Sequence, residues 1–470
     1  MNDMSFPADI TSMPAVALGR EIAARRLSPV EVVDALLERI ASLDPKLHAF
    51  VEVYGSDARL AAEGADKAIR SGHAVGPLHG VPVALKDLIE LDGRTTMGGS
   101  AAQRQRRSPV TATIAKRMIA QGMIVLGKTH TVEFAYGGWG TNQHLGTPWN
   151  PWDLEIARTP GGSSSGSGVA VAAGMAPWAI GTDTGGSVRL PASFCGLTGL
   201  KVTIGRISTY GIIPLSSSLD TPGPMARNVE DAARLFEVLQ GPDPLDPLTR
   251  GIQPVDVLAN LNRGVRGLRL ARMPAVEREG VSAEMLAAYD ASLDVLAGLG
   301  AEIVEIDLPF RFHDLVAASA ITNAEAYFFN GHLADDPGAP VGDAVRQRIL
   351  AGANLSAQDY LKTKRLQQEF KRGLAQAMDG IDAILTPSTE TAAIPVSEVD
   401  EAKLPSRFTR FGNLLEMCAL ALPNGFTQAG LPLSLQIACL GYEEAMALRI
   451  GQAYQQATDW HLRRPALTRA

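Results

Sequence analysis

Apolar and polar positions change their spacing repeatedly along the chain, and each change marks an expected element. Over residues 1–72 the spacing is helical. "SPVEVVDALLERIASLDP" opens on a capping box, Ser28 with Glu31, and carries Pro29 at the first helical position. "SDARLAAEGADKAIRSG" is a second helical pattern and closes at Gly72. The pattern then changes. "GVPVALKDLIEL" (80–91) is an apolar, β-branched run suited to a buried strand, except that Lys86 stands inside it.

Further along, the two periodicities alternate. "TATIAKRMIAQG" reads as a helix and "MIVLGKTH" as a strand, followed by the helix "NVEDAARLFEVLQG" and the strand "GLRLARMP". "SAEMLAAYDASLDVLAGLG" and "AEIVEIDLP" repeat the pair, as do "SAQDYLKTKRLQQEFKRGLAQAMDG" and "IDAILTP". The strand "LPLSLQIACL" and the helix "EEAMALRIGQAYQQATDW" come last. Such alternation predicts an α/β fold with a central mixed, mostly parallel, twisted sheet surrounded by helices. The Pro-rich "GPDPLDPLTRG" (241–251) is the candidate boundary between a front and a back half.

Composition narrows the class. With 470 residues and 46% of them hydrophobic, the chain can bury a large core; 20% charged residues and 46 glycines suit a large enzyme with many tight turns. A net charge of −7 and a densest basic cluster of only "RQRR" (104–107) argue against nucleic acid. Cys195, Cys418 and Cys439 form neither a zinc pattern nor a disulfide framework, which points to a reducing, cytoplasmic setting. "MNDMSFPADI" has no secretory pattern, and the small-apolar run 169–181, broken by Gly174 and Pro177, is too short for a bilayer.

Three features of the front half invite a chemical reading: Lys86 in its apolar strand, the loop "GGSSSGSG" (161–168), and the turn "GTDTGGSVRLPA" (181–192). Singly, each has a bland explanation as an exposed strand lysine, a flexible turn or a structural corner. A phosphate-binding loop is excluded because "GGSSSGSG" lacks its lysine. "GSSSG" matches the nucleophile elbow of Ser-His-Asp hydrolases around Ser164, but the preceding "NPWDLEIARTP" is no buried strand. The downstream histidines His313, His332 and His461 stand in no catalytic context, leaving the elbow as the weaker enzyme reading.

Taken in order, "GVPVALKD", "GKTHTVEFA", "GTPWNPW", "GGSSSGSG" with "VAVAAG", "GTDTGGSVRLPASFCGLTGLKVTIGRIS" and "PLSSSLDTPGPMARNVEDAA" resemble the amidase signature family. The separation of Ser163 and Ser187 also matches the family pattern. The resemblance is strong over 75–235, weaker over the last strand–helix pair, and nearly absent between. One departure is Ser165, where the family loop often has glycine; Gly166 is kept.

The resemblance implies an amidase-signature fold in one domain spanning 1–470. Its parts are a helical region 1–72, a signature core 75–235, a variable substrate-pocket region 240–410, and a strand–helix part 411–470 that completes the core. It also implies roles: Ser187 as nucleophile, Ser163 as bridging serine after a cis Gly162–Ser163 peptide, and Lys86 as base. A serine hydroxyl needs a partner to take its proton, and a lysine serves only when burial lowers its pKa from about 10.4. "VPVALK" supplies an apolar setting. The amides of Thr184, Gly185, Gly186 and Ser187 can converge on an oxyanion. Gly137 falls where the family places a substrate-facing carbonyl, Asp183 and Arg189 support the turn, and Trp139 reads as core or rim.

Within the family, the glutamine-hydrolysing component of a tRNA-dependent amidotransferase is the rival by length. Its acidic residue for the glutamine ammonium aligns with Ser406, with only Arg407 and Arg410 nearby. The sequence therefore favours a free-standing hydrolase acting on a small, neutral, apolar or aryl amide, or on a carbamate (urethane). The expected partner is that small molecule alone, with the chain a monomer or homodimer and with no cofactor, metal, nucleic acid or membrane. A non-catalytic binding protein is a further alternative, disfavoured because a buried lysine is costly to keep unused.

Overall fold

The structure, a computed structural model, describes residues 9–467; the "MNDMSFPADI" stretch, read as free of a secretory signal, lies almost wholly outside them. One sheet of eleven strands organises the molecule. The strands are β1 (Phe50–Val53), β2 (Pro82–Lys86), β3 (Ile124–Thr129), β4 (Trp178–Asp183), β5 (Thr198–Lys201) and β6 (Thr221–Ala226). They continue as β7 (Arg269–Arg272), β8 (Glu302–Val304), β9 (Ala383–Pro387), β10 (Cys418–Phe426) and β11 (Pro432–Cys439). Their order is β1-β3-β2-β4-β6-β5-β10-β11-β9-β7-β8. The sheet runs through both halves, so the Pro-rich 241–251 stretch does not interrupt it.

The mixed α/β sheet is as expected, but "mostly parallel" needs correction, because antiparallel neighbours outnumber parallel ones. Helical crossovers do give the parallel pairs β2–β3, β2–β4, β7–β8 and β7–β9. β1–β3 and β5–β10 are antiparallel, and two strands insert against both neighbours. β6 lies antiparallel between β4 and β5, and β11 lies antiparallel between β10 and β9. β11 follows β10 through a tight turn closed by Thr427 N–H to Leu431 O (2.8 Å), and a hairpin can only be antiparallel. β6 reads "TPGPMA", whose prolines and glycine carry no strand periodicity. β1 is four residues long between two helices, and the helical reading of 1–72 passes over it.

The N-terminal pattern folds as its cap requires. The helix Pro29–Leu47 starts with Ser28 Oγ accepting from Val30 N–H (3.1 Å) and Glu31 accepting from Ser28 N–H (2.8 Å). The small-apolar run divides in two: a wholly buried helix Ser165–Ala172, then β4, with Pro177 in the break. Because β2 and β4 are parallel neighbours, Lys86 and Asp183 end their strands at the same edge of the sheet. Among the described residues no helix is long and apolar enough to cross a membrane.

Candidate active site

Lys86 is the last residue of β2 and is fully buried. Its Nζ reaches two neutral oxygens, Ser163 Oγ and Thr182 Oγ1, each at 2.8 Å. Burial pushes the Lys86 pKa down to about 7, against an upward pull from Asp220 and Asp183. A lysine in that range carries a substantial neutral fraction at neutral pH, and a neutral amine can accept a proton.

Ser163 sits on the loop that feeds the helix Ser165–Ala172, and the Gly162–Ser163 peptide is cis. Its carbonyl is fixed by Thr131 Oγ1 (2.9 Å) and Val132 N–H (3.1 Å). Ser164 points elsewhere: its Oγ donates to Thr182 O and accepts from Thr182 N–H, both at 3.2 Å. No histidine is among its partners in the described residues, so the nucleophile elbow is not built. Gly166 is demanded sterically, because a Cβ there would lie 2.2 Å from Ala49 O and 2.4 Å from His130 N. Ser165, where the sequence departs from the family loop, opens the helix and accommodates its side chain, although its buried Oγ has no hydrogen-bond partner among the described residues.

The turn after β4 is pinned by Asp183. Its carboxylate accepts from Gly186 N–H (2.8 Å), Val188 N–H (3.1 Å), Arg189 Nε (3.0 Å), Arg189 Nη2 (2.9 Å) and Asn413 Nδ2 (2.9 Å). Burial alone would raise the Asp183 pKa, but Arg189 and Asn413 together hold it down to about 2. Gly186 adopts φ +135°, and a Cβ there would stand 2.2 Å from Thr409 Oγ1. Because Asp183 takes the Gly186 amide, the expected oxyanion set loses one member. Thr184, Gly185 and Ser187 remain on the cavity wall. Among the described residues the Ser187 hydroxyl has no hydrogen-bond partner, while Ser187 O accepts from Ser164 N–H (3.3 Å) and so joins the two loops. The structure thus bonds Lys86 to Ser163 and brings the Ser187 loop against them, without a direct Ser163–Ser187 side-chain hydrogen bond.

Thr184 Oγ1 donates to Asp220, a half-buried carboxyl that desolvation raises to about 6. Thr182, Asp220, Thr409 and Asn413 receive no role from the sequence alone. Their signal is present only as membership of longer segments, since their partners lie far away along the chain.

Ser187 opens on a cavity of about 410 Å³. Gly137 and Gly138 form part of its wall, and Leu190, Leu215, Leu219, Leu315, Leu404 and Leu414 make much of it apolar. Most of the remaining lining comes from 315–410, the region where the resemblance fades. Tyr136 donates to Asn323 Oδ1 (2.5 Å), and Arg348 pairs with Glu401 (2.7 Å). Trp139 is core: it stacks on Phe194 and donates to Lys403 O (2.6 Å). Among the described residues no group of three or more His, Cys, Asp or Glu side chains could hold a metal.

Comparison with known proteins fits this geometry. A family model described as Amidase matches residues 31–448. A glutamyl-tRNA(Gln) amidotransferase chain of Chloroflexus aggregans is 37% identical, over 96% of this chain and 97% of its own. The solved peptide amidase of Stenotrophomonas maltophilia superposes with a TM-score of 0.84 at 31% identity, covering 96% of this chain and 98% of its own. A bacterial aryl acylamidase, described as a member of the amidase signature enzymes, gives a TM-score of 0.87 at 25% identity, covering 96% and 97%.

Proposed function

This chain belongs to the amidase signature family, and from that premise we propose that it hydrolyses a C–N acyl bond, amide or carbamate, in a small substrate with an apolar or aryl body. One observation carries the reading. A buried lysine whose pKa falls to about 7 is hydrogen-bonded to Ser163, on the loop joined by Ser164 N–H to the carbonyl of Ser187, a cavity-lining serine whose hydroxyl has no partner among the described residues.

In this mechanism neutral Lys86 takes a proton from Ser163, which takes one from Ser187 as the Ser187 oxygen attacks the acyl carbon. The carbonyl oxygen becomes an oxyanion facing the amides of Thr184, Gly185 and Ser187, on the turn that Asp183 holds in place before the reaction begins. The proton returns through Ser163 to the leaving nitrogen, the C–N bond breaks, and the acyl group stays on Ser187. Water then attacks that ester by the same route in reverse, releasing the acid and restoring the hydroxyl.

The glutamine-hydrolysing reading is favoured by the likeness to the amidotransferase chain at 37% identity. Against it stands the charge arrangement of the cavity. Ser406 lies on the lining, and the lining carboxylate Glu401 is engaged by Arg348 and by the Thr141 hydroxyl. A glutamine ammonium finds no free acid there among the described residues, and an unpaired buried charge is expensive. The test is a panel of an aryl amide, an aryl carbamate, an aryl ester and free glutamine, ranked by kcat/KM against a Ser187→Ala background. Turnover of an aryl amide or carbamate ahead of glutamine supports the proposal; glutamine ahead of both overturns it.

A further inference from the structure

Among the described residues that line the cavity, Arg410 is the one charge without an ion-pair partner. It follows Thr409, whose hydroxyl donates to Gly185 O at 2.7 Å, and it precedes by one helical turn Asn413, which binds Asp183. Its backbone is thereby tied to the turn that carries Ser187. Its guanidinium donates to Ser319 Oγ (3.1 Å) and Ser406 Oγ (3.2 Å), both uncharged. A guanidinium has more donors than two hydroxyls accept, and it cannot shed its charge.

Neighbouring arginines are treated differently. Arg348 is matched by Glu401 at 2.7 Å. Arg407, close by in sequence, pairs with Glu277 (2.8 Å) and Glu390 (3.1 Å). Arg410 forms no ion pair among the described residues, and burial pushes its pKa below the usual range, with only the Tyr136 hydroxyl opposing. A half-buried cation without a counter-ion is incompletely solvated in the empty site, which an anionic ligand would relieve. Flexible lysines or a surface arginine would make no such case; this one lines the same cavity as Ser187.

We propose that Arg410 is a specificity-determining residue that receives a carboxylate on the substrate. The substrate class is then a small amide or carbamate with an apolar body and one negative charge. This rests on the hydrolase reading above and replaces the fully neutral substrate expected from sequence. The absence of an acid at Ser406 speaks against a cationic group only and leaves an anionic one open. Free glutamine differs from this class by its ammonium, for which the described cavity lining offers no unengaged carboxylate.

The test reads binding, separately from turnover. Ser187→Ala protein is titrated by calorimetry with valeranilide and with carboxylate-bearing relatives: succinanilic, glutaranilic and adipanilic acids, and valeranilide carrying a 4-carboxylate on its ring. At least one charged member should bind about tenfold to a hundredfold more tightly than valeranilide, the range for a charge-assisted hydrogen-bonded pair. Adding Arg410→Gln should abolish that ratio, and Arg410→Lys, which keeps charge without the planar fork, should retain part of it. No preference at any length or position, or a preference that survives Arg410→Gln, overturns the proposal. The comparison of charged with neutral ligands on protein that retains Arg410 decides the matter even where a variant fails to fold. Failure of the active enzyme to cleave any amide or carbamate would strike the hydrolase reading instead, whatever the affinities.

Discussion

Lys86 Nζ lies 2.8 Å from Ser163 Oγ, with both atoms sealed from solvent at the end of a parallel strand pair. The contact lets a proton move between amine and hydroxyl without a bridging water. Replacing Lys86 or Ser187 with alanine should therefore lower kcat by at least about a thousandfold, as removal of a member of such a unit does. Ser163→Ala should keep residual activity, because water can fill the gap. Double variants should be scarcely worse than the worse single one, measured as kcat on an aryl amide; simple multiplication of the effects would show three independent roles.

The pH dependence follows from the same lysine. With its pKa near 7, the neutral base grows as pH rises, so kcat/KM should climb through an acid limb close to pH 7 and level off above it. Asp220 holds the Lys86 pKa up by its charge. Asp220→Asn should accordingly move the acid limb to lower pH. An unmoved or upward-shifted limb would separate Asp220 from Lys86.

A buried lysine also leaves a mark on stability. Its folded pKa, about 7, is below its unfolded value, so between the two the unfolded chain binds more protons and stability rises with pH. Lys86→Met should remove that dependence. The variant should gain on the wild type by on the order of a few kcal/mol below pH 7, with the advantage shrinking towards pH 10. Urea unfolding of both proteins at pH 6, 8 and 10 measures the difference, and a gap independent of pH would contradict the sign.

Arg189 and Asp183 are both fully buried and joined by two hydrogen bonds, at 3.0 and 2.9 Å. Arg189→Met would strand the carboxylate that holds the turn. The expected cost is about 3–5 kcal/mol in denaturant unfolding, with activity falling alongside. A near-neutral change would mean that Asn413 and the backbone amides suffice to hold Asp183.

The legibility of this protein from sequence varies along the chain for physical reasons. Lys86, Ser163 and Ser187 are legible because they sit in short segments whose residue types are tightly constrained, such as Gly166 packed against Ala49 O. The strand β6 is not, since "TPGPMA" is held by neighbours on both sides rather than by its own propensity. The share of antiparallel pairing is likewise hidden, because alternation of elements does not say which strand inserts between two others. The sequence leaves Gly186 with a free amide, and Asp183, three residues earlier, takes it. Arg407 and Arg410 look alike in sequence, and only folding brings Glu277 and Glu390 to the first and leaves the second facing the cavity.

The mechanism turns on Ser187 being the residue that is acylated. Incubating the protein with a fluorophosphonate probe and mapping the adduct by peptide mass spectrometry tests this directly. The adduct is predicted on Ser187, stoichiometric, and sharply slowed in Lys86→Ala. An adduct on Ser164, or equal labelling of wild type and Ser187→Ala, would contradict the mechanism.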